Sequence, residues 1–141
     1  MSEIDQDFGY CMLGNVRRAS RAVSRRYDAM ARQLDMTGAQ FSIIALIHAT
    51  PGKTAGELSD MTFIERSALV RNLALLEKRN LVVGVSEKGS SRKEYRLTDV
   101  GVSLYERAVP VWKQAQRELA EVLGESDFLE TVEKLKRLSK V

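Results

Sequence analysis

Residues Thr54–Thr98 read TAGELSDMTFIERSALVRNLALLEKRNLVVGVSEKGSSRKEYRLT, and this stretch decides the fold. It parses as a short helix, a tight turn at Thr62-Phe63-Ile64, a longer helix, and two strands joined by a basic tip. The longer helix, Glu65 to Arg79, sets Leu69, Leu73 and Leu76 at helical spacing, which predicts one buried stripe. Its early outward positions hold Arg66, Ser67, Ala68, Arg71 and Asn72. Such side chains reach base edges and phosphates when a helix end enters a major groove. The strands, Leu81 to Lys88 and Ser91 to Leu97, turn through Gly89 and Ser90, with Lys88, Arg92 and Lys93 at or beside the tip. Leu81, Val83 and Val85 are expected to point inward by alternation, with Tyr95 and Leu97 on the returning strand. A helix-turn-helix followed by a basic ribbon is a winged helix, whose usual partner is duplex DNA.

Charge is placed accordingly. From Glu65 to Arg96 eight basic residues face four acids, a local excess of +4 in a chain of net +3, so the remainder sums to −1. Cys11 is the only cysteine and His48 the only histidine. An intrachain disulfide and a thiolate zinc site are therefore excluded, and no metal or cofactor is expected. With no nucleophile–histidine pairing and no Gly-rich phosphate loop, the chain does not read as an enzyme. It has no apolar run of membrane-spanning length, and Met1–Asp7 is not a signal peptide, so a cytoplasmic protein is expected.

Outward from the central stretch, the ends are helical. Met12, Val16, Ala19, Val23, Tyr27, Met30 and Leu34 recur at steps of three and four, predicting an amphipathic helix over about Phe8–Leu34. Its other face carries Arg17, Arg18, Arg21, Arg25, Arg26 and Arg32, read mainly as a solvated face. Thr37 with Gln40 forms a capping-box pattern ahead of a second helix carrying Phe41, Ile44 and Ile47, which Pro51-Gly52 closes. Thr54 with Glu57 starts the third helix, with Leu58 and Met61 inward and Ile64 anchoring the turn. Asn80 stands where a left-handed cap is wanted. Thr98 caps a fifth helix running to about Leu123, with Pro110 predicting a kink, and Ser126 is expected to cap a last helix carrying Phe128, Leu129, Val132, Leu135 and Leu138. The two apolar end segments exceed what one small module can cover, so a symmetric dimer is the economical solution.

The expected architecture is one chain, 1–141, mainly α with a small β-hairpin. A winged helix-turn-helix module at 36–99 is flanked by helical dimerisation regions at 8–35 and 100–141. The pattern resembles the MarR family of bacterial transcription regulators across nearly the whole chain. Carrying the resemblance are Thr37-Gly38-Ala39-Gln40-Phe41, Pro51-Gly52, Glu57-Leu58-Ser59, Glu65–Arg71, Leu76–Val82, Arg92, and Leu97-Thr98-Asp99-Val100-Gly101. It implies a homodimeric regulator, a repressor of a promoter palindrome relieved by a small phenolic or aromatic anion. By motif position Arg66, Ser67, Ala68 and Arg71 are the reading-helix contacts and Arg92 the wing arginine. A ligand cleft would draw on the first, second and fifth helices, with Tyr10, Arg17, Arg21, His48 and Trp112 as candidates. The chain departs from the family at Ser90, where an aspartate usually stands, at Gly84, where an arginine is common, and at Asn80 in place of glycine. Cys11 lies about half a turn too early for the family's peroxide-sensing position, so it reads as an ordinary thiol. The alternative to a DNA-binding regulator is a winged-helix protein-interaction module. An apolar or acidic reading face would favour that, and Arg66 and Arg71 argue against it.

Overall fold

The computed structural model describes residues 2–62 and 64–141. Two single turns of 3-10 helix, Glu3–Asp5 and Phe8–Tyr10, precede six helices and a hairpin. The helices are α1 (Met12–Arg32), α2 (Gly38–Ala49), α3 (Ala55–Thr62), α4 (Arg66–Lys78), α5 (Asp99–Leu123) and α6 (Glu125–Leu138). The strands are β1 (Val82–Ser86) and β2 (Lys93–Leu97), which pair antiparallel between α4 and α5.

α1 starts four residues later than its apolar spacing suggests. Asp7 accepts from Gly9 N–H at 2.7 Å, and Asn15 donates to the carbonyls of Gly9 and Cys11, so residues 8–10 form a separate turn. At the other end Asp35 takes a left-handed φ of 55°, and Met36 N–H returns to Ala31 O at 3.0 Å, closing the helix by a cap of Schellman type. The Thr37–Gln40 capping box forms in both directions. α2 buries Phe41, Ile43, Ile44 and Ile47, residues that spread around the helix, so it runs through the core rather than over it.

α4 buries Leu69, Leu73 and Leu76 completely, as its spacing predicts, and Asn80 follows with a left-handed φ of 59°. The hairpin differs in phase from its sequence reading. Leu81 and Val82 are buried, while Val83 and Val85 face outward, and Val82↔Leu97 and Gly84↔Tyr95 form the inner pairs. Leu81 is consumed in the turn after Asn80, and this shifts the alternation by one residue; a shift of one exchanges the two faces of a strand. A one-residue bridge between Lys53 and Tyr95 covers the outer edge of β2, and Gly52 at φ 87° makes the approach.

The start of α5 locks the module. Thr98 Oγ1 donates to Asn80 O at 2.6 Å and accepts from Gly101 N–H at 3.0 Å. A β-carbon on Gly101 would lie 2.0 Å from Leu81 O, so only glycine lets α5 start this close to the hairpin. α5 then continues as helix through Pro110. Gly124 at φ 85° both ends α5 and starts α6, so Ser126 lies inside the first turn and is not the cap. Met61 is exposed rather than inward, because α3 is one short helix whose last turn lies at the surface. Ile64 packs partly buried against the core, and Phe63 lies outside the described residues. α6 buries no residue, and Met12, Leu13, Leu129 and Leu135 are each at least half exposed. Among the described residues no helix is long and apolar enough to cross a membrane.

Candidate nucleic-acid interface

The buried leucines of α4 fix which way its opposite face points. That face presents Ser67 and Arg71 to solvent, Arg66 is exposed at the first residue of the helix, and among the described residues neither arginine is in an ion pair. Glu65 is the N-cap. Its carboxylate accepts from the hydroxyl and the backbone N–H of Ser67, and these bonds hold it below the usual carboxylate range. Arg66 lies against Gly56 of α3: a β-carbon there would sit 3.7 Å from its guanidinium carbon. Ala68 is half-buried. Asn72 is engaged within the fold, donating to Ala68 O at 3.0 Å and accepting from Gln40 at 3.2 Å. The structure therefore brings Ser67 and Arg71 to one exposed face, leaves Arg66 exposed at the helix start beside α3, and turns Asn72 toward α2.

Arg79, at the end of the same helix, donates to the carbonyls of Asp35 and Leu34 at 2.5 and 3.3 Å. It ties α4 to the turn that follows α1. Its sequence position marks it only as a basic residue near a helix C-terminus.

The three wing cations differ in situation. Lys88 is exposed beside Gly89, whose φ is 85°, and is in no ion pair among the described residues. Arg92 folds back. Its Nη2 donates to Glu57 Oε1 of α3 at 2.7 Å, its Nε donates to Glu94 Oε1 at 2.8 Å, and its backbone N–H bonds Ser90 Oγ at 3.1 Å. The hydrogen bond from Arg92 holds the Glu57 carboxyl below its ordinary value, and Lys53 adds to this from 3.7 Å. Lys93 donates to Glu77 of α4 at 3.3 Å and lies 5.4 Å from the Tyr95 ring centre. Partial burial pulls the Lys93 ammonium down, but the bond to Glu77 and the neighbouring Tyr95 outweigh it, and the net shift is upward. Glu57 and Glu77 escaped the sequence reading as wing partners. Glu57 reads as an N-terminal capping residue, and its backbone N–H does donate to Thr54 Oγ1 at 3.2 Å.

A second feature is an apolar cleft of about 520 Å³ between α2, α3 and α5, lined by Phe41, Leu46, Met61, Tyr105, Val109 and Trp112 among others. His48 stacks on Tyr105 with ring centres 4.0 Å apart. Of the five candidate ligand residues, Trp112 lines this cleft and His48 borders it through Tyr105. Tyr10, Arg17 and Arg21 are exposed on the N-terminal turn and α1, and α1 supplies no lining residue. The reason is geometric: within one chain α3, not α1, closes this side of α2. Cys11 is exposed at the start of α1. Among the described residues no cluster of His, Cys, Asp and Glu could hold a metal ion.

A helix with exposed arginines braced on a leucine stripe, with a short ribbon beside it, defines a winged helix-turn-helix. Residues 34–93 match the model of the MarR family. The HTH-type transcriptional regulator FarR of Neisseria gonorrhoeae is 28% identical over 125 residues, covering 88% of this chain and 86% of FarR. The M. tuberculosis transcriptional regulator MosR superposes with a TM-score of 0.83 at 29% identity, covering 95% of this chain and 96% of that one. The transcriptional repressor CouR, bound to a 23-mer DNA duplex, gives 0.82 at 27% identity, covering 99% and 96%. CouR bound to p-coumaroyl-CoA gives 0.80 at 26%, with the same coverage. The chain thus carries a MarR-type segment over residues 34–93 and is similar along most of its length to transcriptional regulators.

Proposed function

We propose that this chain is a cytoplasmic homodimeric repressor that binds a palindromic promoter site through α4 and releases it when a small aromatic ligand binds. The observation that carries the reading is α4: three fully buried leucines on one side, Ser67 and Arg71 outward on the other, and Arg66 exposed at the first turn. MosR has also been solved in complex with DNA, at 29% identity to this chain, and CouR with a duplex. The exposed apolar side chains of α1 and α6 suit burial against a second copy, which would set two reading helices for successive major grooves about 34 Å apart. In functional terms the module spans 36–99 and the dimer regions 8–35 and 100–141.

Ligand release is assigned to the cleft beside Trp112. Its aromatic and aliphatic walls suit a flat ring. CouR, which binds p-coumaroyl-CoA, is consistent with that class.

Two measurements test the reading. Selection from a randomised duplex pool by the intact protein should enrich an inverted repeat, with binding that weakens steeply as salt rises. Enrichment of no sequence over random duplex overturns DNA-specific regulation. In a thermal-shift screen, phenolic acids or their thioesters should raise the melting temperature, and Trp112→Ala should remove the rise. A rise that survives Trp112→Ala places the ligand elsewhere.

A further inference from the structure

We infer that the cations flanking the wing tip are braces: Glu57 of α3 and Glu77 of α4 hold Arg92 and Lys93 to the module, Arg92 is a positioning residue, and Lys88 makes the wing's contact with the DNA backbone. The inference rests on the reading above that the wing lies against a duplex.

Arg92 is held at three points by three residues: Glu57, Glu94 and, through its backbone, Ser90. Glu57 is itself held from the other side by Lys53. Turning Arg92 outward would strip a cation from two carboxylates on the face that approaches phosphates. Those carboxylates would then repel the backbone that Arg92 had moved to meet. The usual wing aspartate is replaced by Ser90, and the acids that hold the arginine are Glu94 of β2 and Glu57 of α3. The Glu57 contact reaches from the wing to the helix-turn-helix, which makes that pair a strut between two elements.

Lys93 is a second strut on the opposite side. It starts at the first residue of β2 and reaches Glu77 on α4. Gly84 opens the route: a β-carbon there would lie 2.1 Å from Lys93 Cε and 3.1 Å from its Cγ and Cδ. The glycine that departs from the family pattern is thus the residue over which Lys93 crosses. With both flanking cations neutralised by helix acids, Lys88 is the basic side chain left at the tip, in no ion pair among the described residues.

The experiment compares Glu57→Gln, Arg92→Ala, their double variant and Lys88→Ala in the intact protein. The probe is the duplex that wild type enriches from a random pool. Glu57→Gln keeps the shape and removes the charge. It should weaken duplex binding by about two- to fivefold, the range of one exposed ion pair. Arg92→Ala should do the same, and the double variant should be no weaker than either single one. The slope of log affinity against log salt should be unchanged in Arg92→Ala and shallower by about 1 in Lys88→Ala. Backbone amide exchange of β2 in the protein alone should speed up in Glu57→Gln. Tighter duplex binding by Glu57→Gln, or a salt slope that drops by about 1 in Arg92→Ala, overturns the inference and returns Arg92 to the groove. Unchanged exchange in Glu57→Gln overturns the brace whatever the DNA results. Enrichment of no duplex by wild type overturns the proposed function and the Lys88 assignment with it, while the exchange measurement still decides the brace.

Discussion

The reading helix and the wing carry similar residues and use them in opposite ways. On α4 Ser67 and Arg71 face outward because three leucines on the far side are fully buried, and among the described residues neither Arg66 nor Arg71 is in an ion pair. On the wing the strands are short, Val83 and Val85 are exposed, and the flanking cations are turned inward onto Glu57 and Glu77. One element is oriented by packing, so its charge is available. The other is oriented by its charge, so most of that charge is spent within the fold. A basic residue near a recognition surface is therefore a contact or a support depending on what else holds its element.

The comparison can be broken most directly at the packing side. Leu73→Ala should destabilise the protein by about 2–5 kcal/mol in a denaturant titration, the range for a fully buried leucine. A loss under about 1 kcal/mol would mean that α4 is not oriented by its stripe. Gly101→Ala should cost about 1–3 kcal/mol or more, because the new methyl meets Leu81 O and α5 must move. A neutral result would show that the α5 start is loose. Arg71→Ala should cost about 1–3 kcal/mol for the enriched duplex and much less for random duplex if it meets a base edge. Equal losses on both would make it a phosphate contact.

The smallest effect is on the wing and concerns pH. Glu57 has its folded pKa depressed by Arg92, so the brace is fully present above the ordinary glutamate value of 4.5. It is lost only as pH falls through the lower folded value. Wing amide exchange, corrected for its intrinsic pH dependence, should be flat from neutral pH down to that region and quicken below it. Quickening well above 4.5 would assign the wing's order to some other group.

What the sequence discloses follows the same division. The α4 stripe, the Thr37–Gln40 box, the Asn80 cap and the Thr98 cap are local, set by residues three or four apart, and each forms as its spacing predicts. The hairpin phase is less legible because Leu81, Val82, Val83 and Val85 are all apolar, and nothing within the strand says which are inward. That is decided by the turn before it and by Tyr95 across from Gly84. Ser126 and Met61 fail for lack of context: Gly124 already serves both helices, and α3 ends at the surface. The pairs Arg92–Glu57 and Arg79–Asp35 join residues 35 and 44 positions apart, and no periodicity announces them. For the same reason the five residues considered for a ligand site separate. Trp112 lines the cleft and His48 stacks on Tyr105, another lining residue that only the fold brings near, while Tyr10, Arg17 and Arg21 stay exposed on the N-terminal turn and α1.

One measurement tests the division between the two regions most directly. It is the ratio of affinity for the enriched duplex to affinity for random duplex, taken side by side for wild type, Arg71→Ala and Arg92→Ala at one salt concentration. The account predicts that Arg71→Ala lowers this ratio by about tenfold or more. Arg92→Ala should weaken both affinities modestly and leave the ratio near that of wild type. A collapse of the ratio in Arg92→Ala with little change in Arg71→Ala would contradict it, and would place sequence reading in the wing.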